Sequence, residues 1–287
     1  MKTITGHTKL TGLLGSPVSH SISPMMHNEA FRQLDLDYVY LAFAGEKQEL
    51  APTGGGLRAM KVRGFNITMP HKHAMCQLCD SLSPISEILG TVNTVVNEDG
   101  HLTGYTTDGI GYMRGLQEDG YEILGKKMTL LGAGGAASSI LAQAALDGVS
   151  EISVFNRQGT IFEHTQKLIQ LLKERTNCRI RLFDITDSAA LRREVSESAL
   201  LTNATSVGMA PNTDASPIQD ATLFRPDLIV SDVIYHPSET KLLRDAKKAG
   251  CRTQNGLSML LYQGAESFRL WTGEEMPVSI IREKYFC

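Results

Sequence analysis

Ten residues, Met128–Ala137 (MTLLGAGGAA), constrain the fold of this 287-residue chain more than any other stretch. Met128–Leu131 predicts a short buried strand, and Gly132-Ala133-Gly134-Gly135-Ala136-Ala137 continues it as G-x-G-x-x-A. Ser138–Ala145 (SSILAQAA) is rich in good helix formers, so a helix is expected next. A second apolar run, Glu151–Phe155, follows one helix later. Strand, glycine turn, helix and second strand form the fingerprint of a dinucleotide-binding unit. Gly132 allows the tight turn, Gly134 lets the backbone approach a pyrophosphate, and Ala137 is small enough for close helix–strand packing. The helix N-terminus, with Ala133, Gly135 and Ala136 around it, offers N–H groups to the anion. A bare G-x-G-x-x-A is also compatible with a purely structural turn; its context favours the nucleotide site.

The rest of the chain is compatible with an ordinary globular protein of two domains, at about 150 residues per domain. It is 42% hydrophobic and 21% charged, and its formal net charge of -3 gives no reason to expect nucleic acid or an acidic membrane as partner. No apolar run approaches the roughly 18 residues that span a bilayer, and the N-terminal stretch lacks a signal peptide's apolar core. Five cysteines without an export signal point to reduced thiols in a cytoplasm. Cys76 and Cys79 have C-x-x-C spacing but no second pair, so they read as plain thiols and no metal site is expected.

Taken in order, Lys9–Gly15, Tyr38–Phe43, Gly64–Met69 and Thr91–Val96 predict strands of a first α/β domain. Ser23 is expected to cap a helix with Pro24 in its first turn. Glu46–Met60 and Ala74–Leu89 predict further helices, the former weakened by Gly54-Gly55-Gly56. Lys72 falls in the loop after the third strand, where open α/β sheets gather ligands; position alone is equally compatible with a solvated charge. His71 and His73 read as ordinary loop residues. Asn93 interrupts a β-branched run, and a buried amide there must find partners. Asp108 reads as the N-cap of a helix over 110–118 that leads into the second domain. Strands at 151–155, 179–183, 200–205, 228–233 and near Thr253 then alternate with helices at 161–173, 189–196 and 241–249. Leu257–Trp271 is a strong amphipathic helix. No low-complexity linker occurs, so the boundary is placed in a helix near residue 108.

Seven motifs in this order resemble the shikimate dehydrogenase family: SHSISP at 19–24, NITMPHK at 66–72, GTVNTVVN at 90–97, GYTTDG at 104–109, GAGGAA at 132–137, NATSVGM at 203–209 and GLSMLLYQGAESFRLWTG at 256–273. The resemblance covers nearly the whole chain and leans towards the quinate/shikimate branch. Thr106 departs from the family's usual asparagine, and His71 stands where phenylalanine or asparagine is common. The resemblance implies an N-terminal α/β substrate-binding domain over 1–107, with 256–287 returning to it, and a Rossmann-type domain over 108–255. The cleft would lie between them.

The implied activity is reversible oxidation of shikimate to 3-dehydroshikimate and of quinate to 3-dehydroquinate, in aromatic amino acid biosynthesis or quinate utilisation. Lys72 and Asp108 are the implied catalytic pair. Lysine ammonium groups ordinarily titrate at about 10.4, so a lysine acid/base at neutral pH needs desolvation or a relay. A nearby carboxylate favours the ammonium form, so Asp108 is read as orienting Lys72 and binding a substrate hydroxyl; which of the two takes the proton stays open. The resemblance gives the substrate carboxylate to Ser21, Ser23 and Tyr235, and the ring hydroxyls to Thr68, Asn93, Asp108 and Gln263. It adds Asn156, Arg157, Thr205, Val233 and Gly256 to the glycine turn as cofactor contacts. No acid stands at the Asn156-Arg157 tip, and the strictly NADP-dependent pattern N-R-T-x-x-R is half built, with Gln158 and Ile161 at its third and sixth positions. Use of both NAD and NADP follows, NAD at least as well as NADP. A homodimer is compatible with this reading. So are two other functions: a non-catalytic nucleotide-binding regulator, and a dehydrogenase for another small hydroxy acid.

Overall fold

A computed structural model describes residues 3–286, which divide into two compact units. The first takes the chain up to Thr107 and again from Leu261 onward; the second runs from Asp108 to Leu260.

The first unit begins β1 (Lys9–Gly15), α1 (Ser23–Gln33), β2 (Tyr38–Ala44), α2 (Leu50–Ala59), β3 (Gly64–Ile67), β4 (Ser81–Leu82), α3 (Pro84–Leu89), β5 (Thr94–Glu98) and β6 (His101–Tyr105). Its strands form one mixed sheet in the order β2-β1-β3-β5-β6-β4. β1 lies parallel to β2 and β3, while β5 is antiparallel to β3 and β6. Leu50 and Leu57 of α2 pack on Leu14, Phe65, Ile67 and Val95 of the sheet. A ring cluster ties α1 to the returning C-terminal segment. His27 stacks on Tyr40 with centroids 4.5 Å apart, and Phe31 lies 5.1 Å from Phe268. Burial pushes the His27 imidazole down to about 3, so it sits there neutral.

The second unit holds α4 (Asp108–Glu118), β7 (Lys127–Leu131), α5 (Gly135–Asp147), β8 (Glu151–Asn156), α6 (Thr160–Lys173), β9 (Arg179–Asp184), α7 (Ser188–Ser196), β10 (Leu200–Asn203), β11 (Ile229–Asp232), α8 (Lys241–Lys248) and β12 (Arg252–Gln254). Its six strands are all parallel, in the order β12-β11-β10-β7-β8-β9. The central strands β10 and β11 are buried at every residue, as a parallel sheet requires. The order reverses between β7 and β10, which makes the crevice beyond their C-terminal ends the expected ligand position. Helix α9 (Leu257–Thr272) passes from the second unit to the first, and α10 (Val278–Tyr285) completes the first. The return falls at Leu261, not Gly256. Ser258 binds the second unit by donating from Oγ to Asp119 Oδ2 at 2.9 Å.

The structure corrects several sequence expectations. Ser23 does not cap α1: Ile22 holds the cap position with helical dihedrals, and the Ser23 N–H is accepted by Ser21 Oγ at 3.2 Å. Residues 46–60 split into a 3₁₀ turn at 47–49, closed by reciprocal Glu46–Glu49 backbone capping, and α2. Residues 74–89 are not one helix. Asp80 Oδ2 accepts the Leu102 N–H at 2.7 Å and draws the chain into β4, which pairs with β6. Ser83 then caps a new helix with Pro84 in its first turn, because the residue before a proline favours extended backbone. The strand expected at 91–96 begins only at Thr94, and β3 stops at Ile67, leaving Asn93 and Thr68 in the loops. Asp108 is a helical residue of α4, not a cap outside it. The helix after the glycine turn begins at Gly135, three residues before Ser138.

Candidate active site

In the second unit, β7 delivers Gly132 to the switch point. Gly132 has φ 102°, and a Cβ on it would fall 2.8 Å from the Ala204 carbonyl oxygen, so both conformation and space demand glycine. Its N–H donates to Phe155 O at 2.8 Å, joining the turn to the end of β8. Ala133 is buried beneath the turn. Gly134 is the N-cap of α5, Gly135 its first residue, and both are exposed with open space where a Cβ would stand. Their N–H groups, with that of half-buried Ala136, leave the cradle a pyrophosphate needs, and fully buried Ala137 closes the helix onto the sheet.

The loops after β10 and β11 are strapped together at the same end of the sheet. Asn203 Oδ1 accepts from Thr205 Oγ1 at 2.7 Å and from its N–H at 3.1 Å, while Asn203 Nδ2 donates to Asp232 Oδ1 at 3.0 Å. Asp232 also accepts from Thr240 Oγ1 at 2.7 Å and Ile234 N at 3.0 Å; burial nevertheless holds its carboxyl above the usual carboxylate range. Val233 N donates to Asn203 O at 2.9 Å. Gly256 packs so closely on this loop that a Cβ would fall 2.0 Å from Val233 O. Thr205, Val233 and Gly256 are thus brought together with the glycine turn's unit. Asn203 and Asp232 escaped the sequence reading, although a polar residue ending an otherwise buried strand was the available signal. Asn156 ends β8, its Nδ2 donating to Arg157 O at 3.0 Å, and Arg157 is exposed.

In the first unit, backbone hydrogen bonds gather the loops that carry the expected substrate contacts. Thr68 N donates to Leu14 O at 3.0 Å and Ser16 N to Met69 O at 3.0 Å, which sets the start of the 16–22 loop beside the 68–72 loop. The Lys72 carbonyl accepts the Val92 N–H at 2.9 Å, next to Asn93. The two flanking histidines anchor Lys72 rather than simply line the loop. His71, fully buried, places Nε2 2.7 Å from Gly45 O, and His73 Nδ1 lies 2.8 Å from Gly90 O. Each ring nitrogen facing a carbonyl carries the proton.

Asn93 is buried and fixed. Its Nδ2 donates to Thr107 Oγ1 at 3.0 Å, and its Oδ1 accepts the Thr107 N–H at 2.9 Å and Thr94 Oγ1 at 3.1 Å. Beneath it lies a layer of buried amide and hydroxyl groups. Asn66 Nδ2 donates to Ser267 Oγ at 3.0 Å and Thr94 Oγ1 at 3.1 Å, and Asn66 Oδ1 accepts from the Tyr40 hydroxyl at 2.8 Å. Ser267 Oγ reaches the Gln263 carbonyl at 3.0 Å, so the layer connects Asn93 with the turn of α9 that carries Gln263. Thr107 and Ser267 were missed from sequence because their value lies in partners 14 and 201 residues away. Thr106, the departure from the family pattern, donates to Thr91 O at 2.5 Å and bonds Ser86 Oγ at 3.0 Å. Ser21, Ser23, Thr68, Lys72, Asn93 and Gln263 therefore belong to the first unit, whereas Asp108, the residue after Thr107, and Tyr235, exposed after β11, belong to the second.

A parallel sheet with a glycine turn at its switch point, preceded by an α/β unit with an anchored lysine loop and a buried amide, defines a two-unit dinucleotide-binding protein of the dehydrogenase kind. Residues 13–95 match the family model described as the shikimate dehydrogenase substrate binding domain, and residues 256–284 the shikimate 5′-dehydrogenase C-terminal domain. A shikimate dehydrogenase (NADP(+)) of Listeria innocua is 53% identical, over 99% of this chain and 97% of that protein. The crystal structure of shikimate 5-dehydrogenase from Listeria monocytogenes in complex with shikimate and NAD has a TM-score of 0.95 at 53% identity, covering 99% of this chain and 98% of that one. Quinate dehydrogenase from Corynebacterium glutamicum in complex with NAD has a TM-score of 0.86 at 29% identity, covering 97% and 99%. The chain belongs to the shikimate dehydrogenase family and is an NAD(P)-dependent oxidoreductase. Among the described residues, no helix is long and apolar enough to cross a membrane.

Proposed function

We propose that this chain oxidises shikimate reversibly at a ring hydroxyl, giving 3-dehydroshikimate, with NAD or NADP as hydride acceptor. The observation that carries this reading is the 53% identity, over 99% of the chain, to a protein whose crystal structure holds shikimate and NAD. A nicotinamide dinucleotide bound at the glycine turn would supply the hydride acceptor for the carbinol carbon. The hydroxyl proton leaves in the other direction, and Lys72 receives it, oriented by Asp108. Ser21, Ser23 and Tyr235 donate to the substrate carboxylate, whereas Thr68, Asn93, Asp108 and Gln263 hold ring hydroxyls. The fixed state of Asn93 supports its role: with Oδ1 and Nδ2 already oriented by Thr107, the amide pays little entropy to order on binding. The regulator reading is not favoured, because close relatives across the full length are named as enzymes. Mixing the purified protein with shikimate and each dinucleotide tests the proposal; no absorbance change at 340 nm with either would end it.

Two finer expectations follow. Quinate carries an extra hydroxyl on the carbon bearing the carboxylate, beside the Ser21/Ser23 loop, and a hydroxyl-lined loop accommodates it. Oxidation of quinate as well as shikimate is expected, and a protein inert to quinate at high concentration would contradict it. Ser21→Ala should raise KM for shikimate more than it lowers kcat, because it removes a contact present before and during reaction. One charge-assisted hydrogen bond corresponds to about 1.5–3 kcal/mol. The same substitution also frees the Ser23 N–H now accepted by Ser21, so melting temperature is measured alongside. An unchanged KM would reduce Ser21 to a turn residue.

For the cofactor, we propose dual use with NAD at least as good as NADP. Arg157 is one exposed cation at the end of β8, without the second arginine of the N-R-T-x-x-R pattern. Specificity constants for the two dinucleotides at fixed salt measure the choice. A hundredfold preference for NADP, about 2.7 kcal/mol, would refute it.

A further inference from the structure

The tip of β8 lacks the acidic residue that usually binds a ribose 2′-hydroxyl and repels a 2′-phosphate. The neighbouring strand ends in one. β8 and β9 run parallel with Asn156 opposite Asp184, each the last residue of its strand. Adjacent strands are about 4.8 Å apart, so the Asp184 backbone stands one strand spacing from the tip where the ribose is read. The two loops are tied: Ile185 N donates to Asn156 O at 3.0 Å.

The Asp184 side chain is fixed at this strand end by its own loop. Oδ1 accepts the Thr186 N–H at 2.9 Å and the Thr186 hydroxyl at 2.8 Å. These bonds, that from the Thr186 backbone foremost, hold its carboxyl below the usual carboxylate range, so it is an anion at neutral pH. Residues 157–160 are exposed, which leaves the corner open to a ligand.

We propose that Asp184 sets the choice between NAD and NADP: its carboxylate, one strand over from Asn156, opposes a 2′-phosphate and offsets the attraction of Arg157. The proposal rests on the reading that the Gly132–Ala137 turn and the end of β8 bind a nicotinamide dinucleotide. It explains how an Arg157 with no acid beside it in sequence is compatible with NAD: the acid arrives 27 residues later, from the next strand.

Calorimetric titration with 5′-AMP and adenosine 2′,5′-bisphosphate isolates the 2′-phosphate from the rest of the cofactor and from turnover. Asp184→Asn keeps an oxygen for Thr186 and removes the charge. It should improve binding of the bisphosphate relative to 5′-AMP by about fivefold, as expected for one charge acting on a phosphate across a solvated gap of several ångströms. The gain should shrink as salt is raised and the Debye length falls. Asp184→Ser serves as the second variant, and Gln158→Ala separates charge from loop placement by leaving the carboxylate in place. An unchanged ratio in both Asp184 variants overturns the proposal. So does an equal change for both ligands, or a Gln158→Ala variant that reproduces the whole gain, since each would make Asp184 a loop support only. If neither ligand binds the unaltered protein, the cofactor reading itself falls, and this proposal with it.

Discussion

Lys72→Ala is expected to lower turnover by about a hundredfold or more, the range associated with a positioned acid/base, with substrate affinity reduced much less. Lys72 is held through its backbone, whose carbonyl accepts the Val92 N–H, and through its neighbours His71 and His73, each hydrogen-bonded to a main-chain carbonyl. These contacts use the main chain and the two flanking rings, and they remain available when the Lys72 side chain is truncated. Truncation removes the amine that receives the hydroxyl proton as the carbinol carbon loses hydride, an interaction that matters most in the transition state. Loss of kcat with a nearly constant KM is the signature of such a contact. Steady-state kinetics with shikimate, and a melting curve to confirm the fold, decide the matter. Turnover within a few-fold of the unaltered protein would remove Lys72 from the mechanism and leave Asp108 as the remaining candidate for the proton.

What could be read in sequence follows the range of the interactions involved. The interior strands β7, β8 and β10 are mostly apolar and buried along nearly their whole length because both faces of a parallel sheet are covered, so they could be located from local pattern alone. The glycine turn was legible for a similar reason: Gly132 answers to its own φ and to a carbonyl that leaves no room for Cβ. Expectations failed where a distant partner overrode a local preference. Residues 74–89 have enough helix formers for one helix, yet the bond from Leu102 to Asp80 recruits two of them to a sheet edge, and Pro84 restarts the helix. Ser23 looked like a cap, but Ile22 entered the helix first and Ser21 took the serine's N–H. Lys72, Asn93, Asp108 and Gln263 stood out because several family motifs fell in order. The layer that fixes Asn93 did not, since Asn66, Thr107 and Ser267 meet only after β3, β5 and α9 pack. Asp184 is hidden in the same way: nothing near it in sequence signals that β9 will end beside Asn156.

Glu194→Ala is expected to destabilise the second unit by about 3 kcal/mol at neutral pH, the scale for breaking a buried ion pair. Glu194 lies on α7 with no exposed side-chain surface, and it meets Lys127 of β7 at 2.7 Å, Arg181 of β9 at 2.9 Å and Arg193 at 3.0 Å. It also accepts the buried Ser153 hydroxyl of β8 at 2.7 Å, so one carboxylate fastens a helix to three strands. Alanine leaves that hydroxyl without this acceptor and leaves Lys127 to Glu151 and Glu197, at 3.1 and 2.5 Å. Burial alone would raise the Glu194 carboxyl. The bonds from Lys127, Ser153 and Arg193 outweigh it and bring the group from 4.5 down to about 2. A folded-state pKa below the unfolded one means the stabilisation is fully present above about 4.5 and is lost as pH falls towards about 2. The difference between Glu194→Ala and the unaltered protein should therefore be largest at pH 7 and shrink through pH 4 to 3. Glu194→Gln, which can still accept from Ser153 without the charge, should fall between them at pH 7. Lys127 opens β7, at the opposite end from Gly132, so cofactor affinity should be unaltered in the variants that fold. Urea denaturation at pH 7, 5 and 3 makes the measurement. A difference under about 0.5 kcal/mol at pH 7, or one that stays constant down to pH 3, would show that this cluster behaves as a solvated surface network in which no single carboxylate matters.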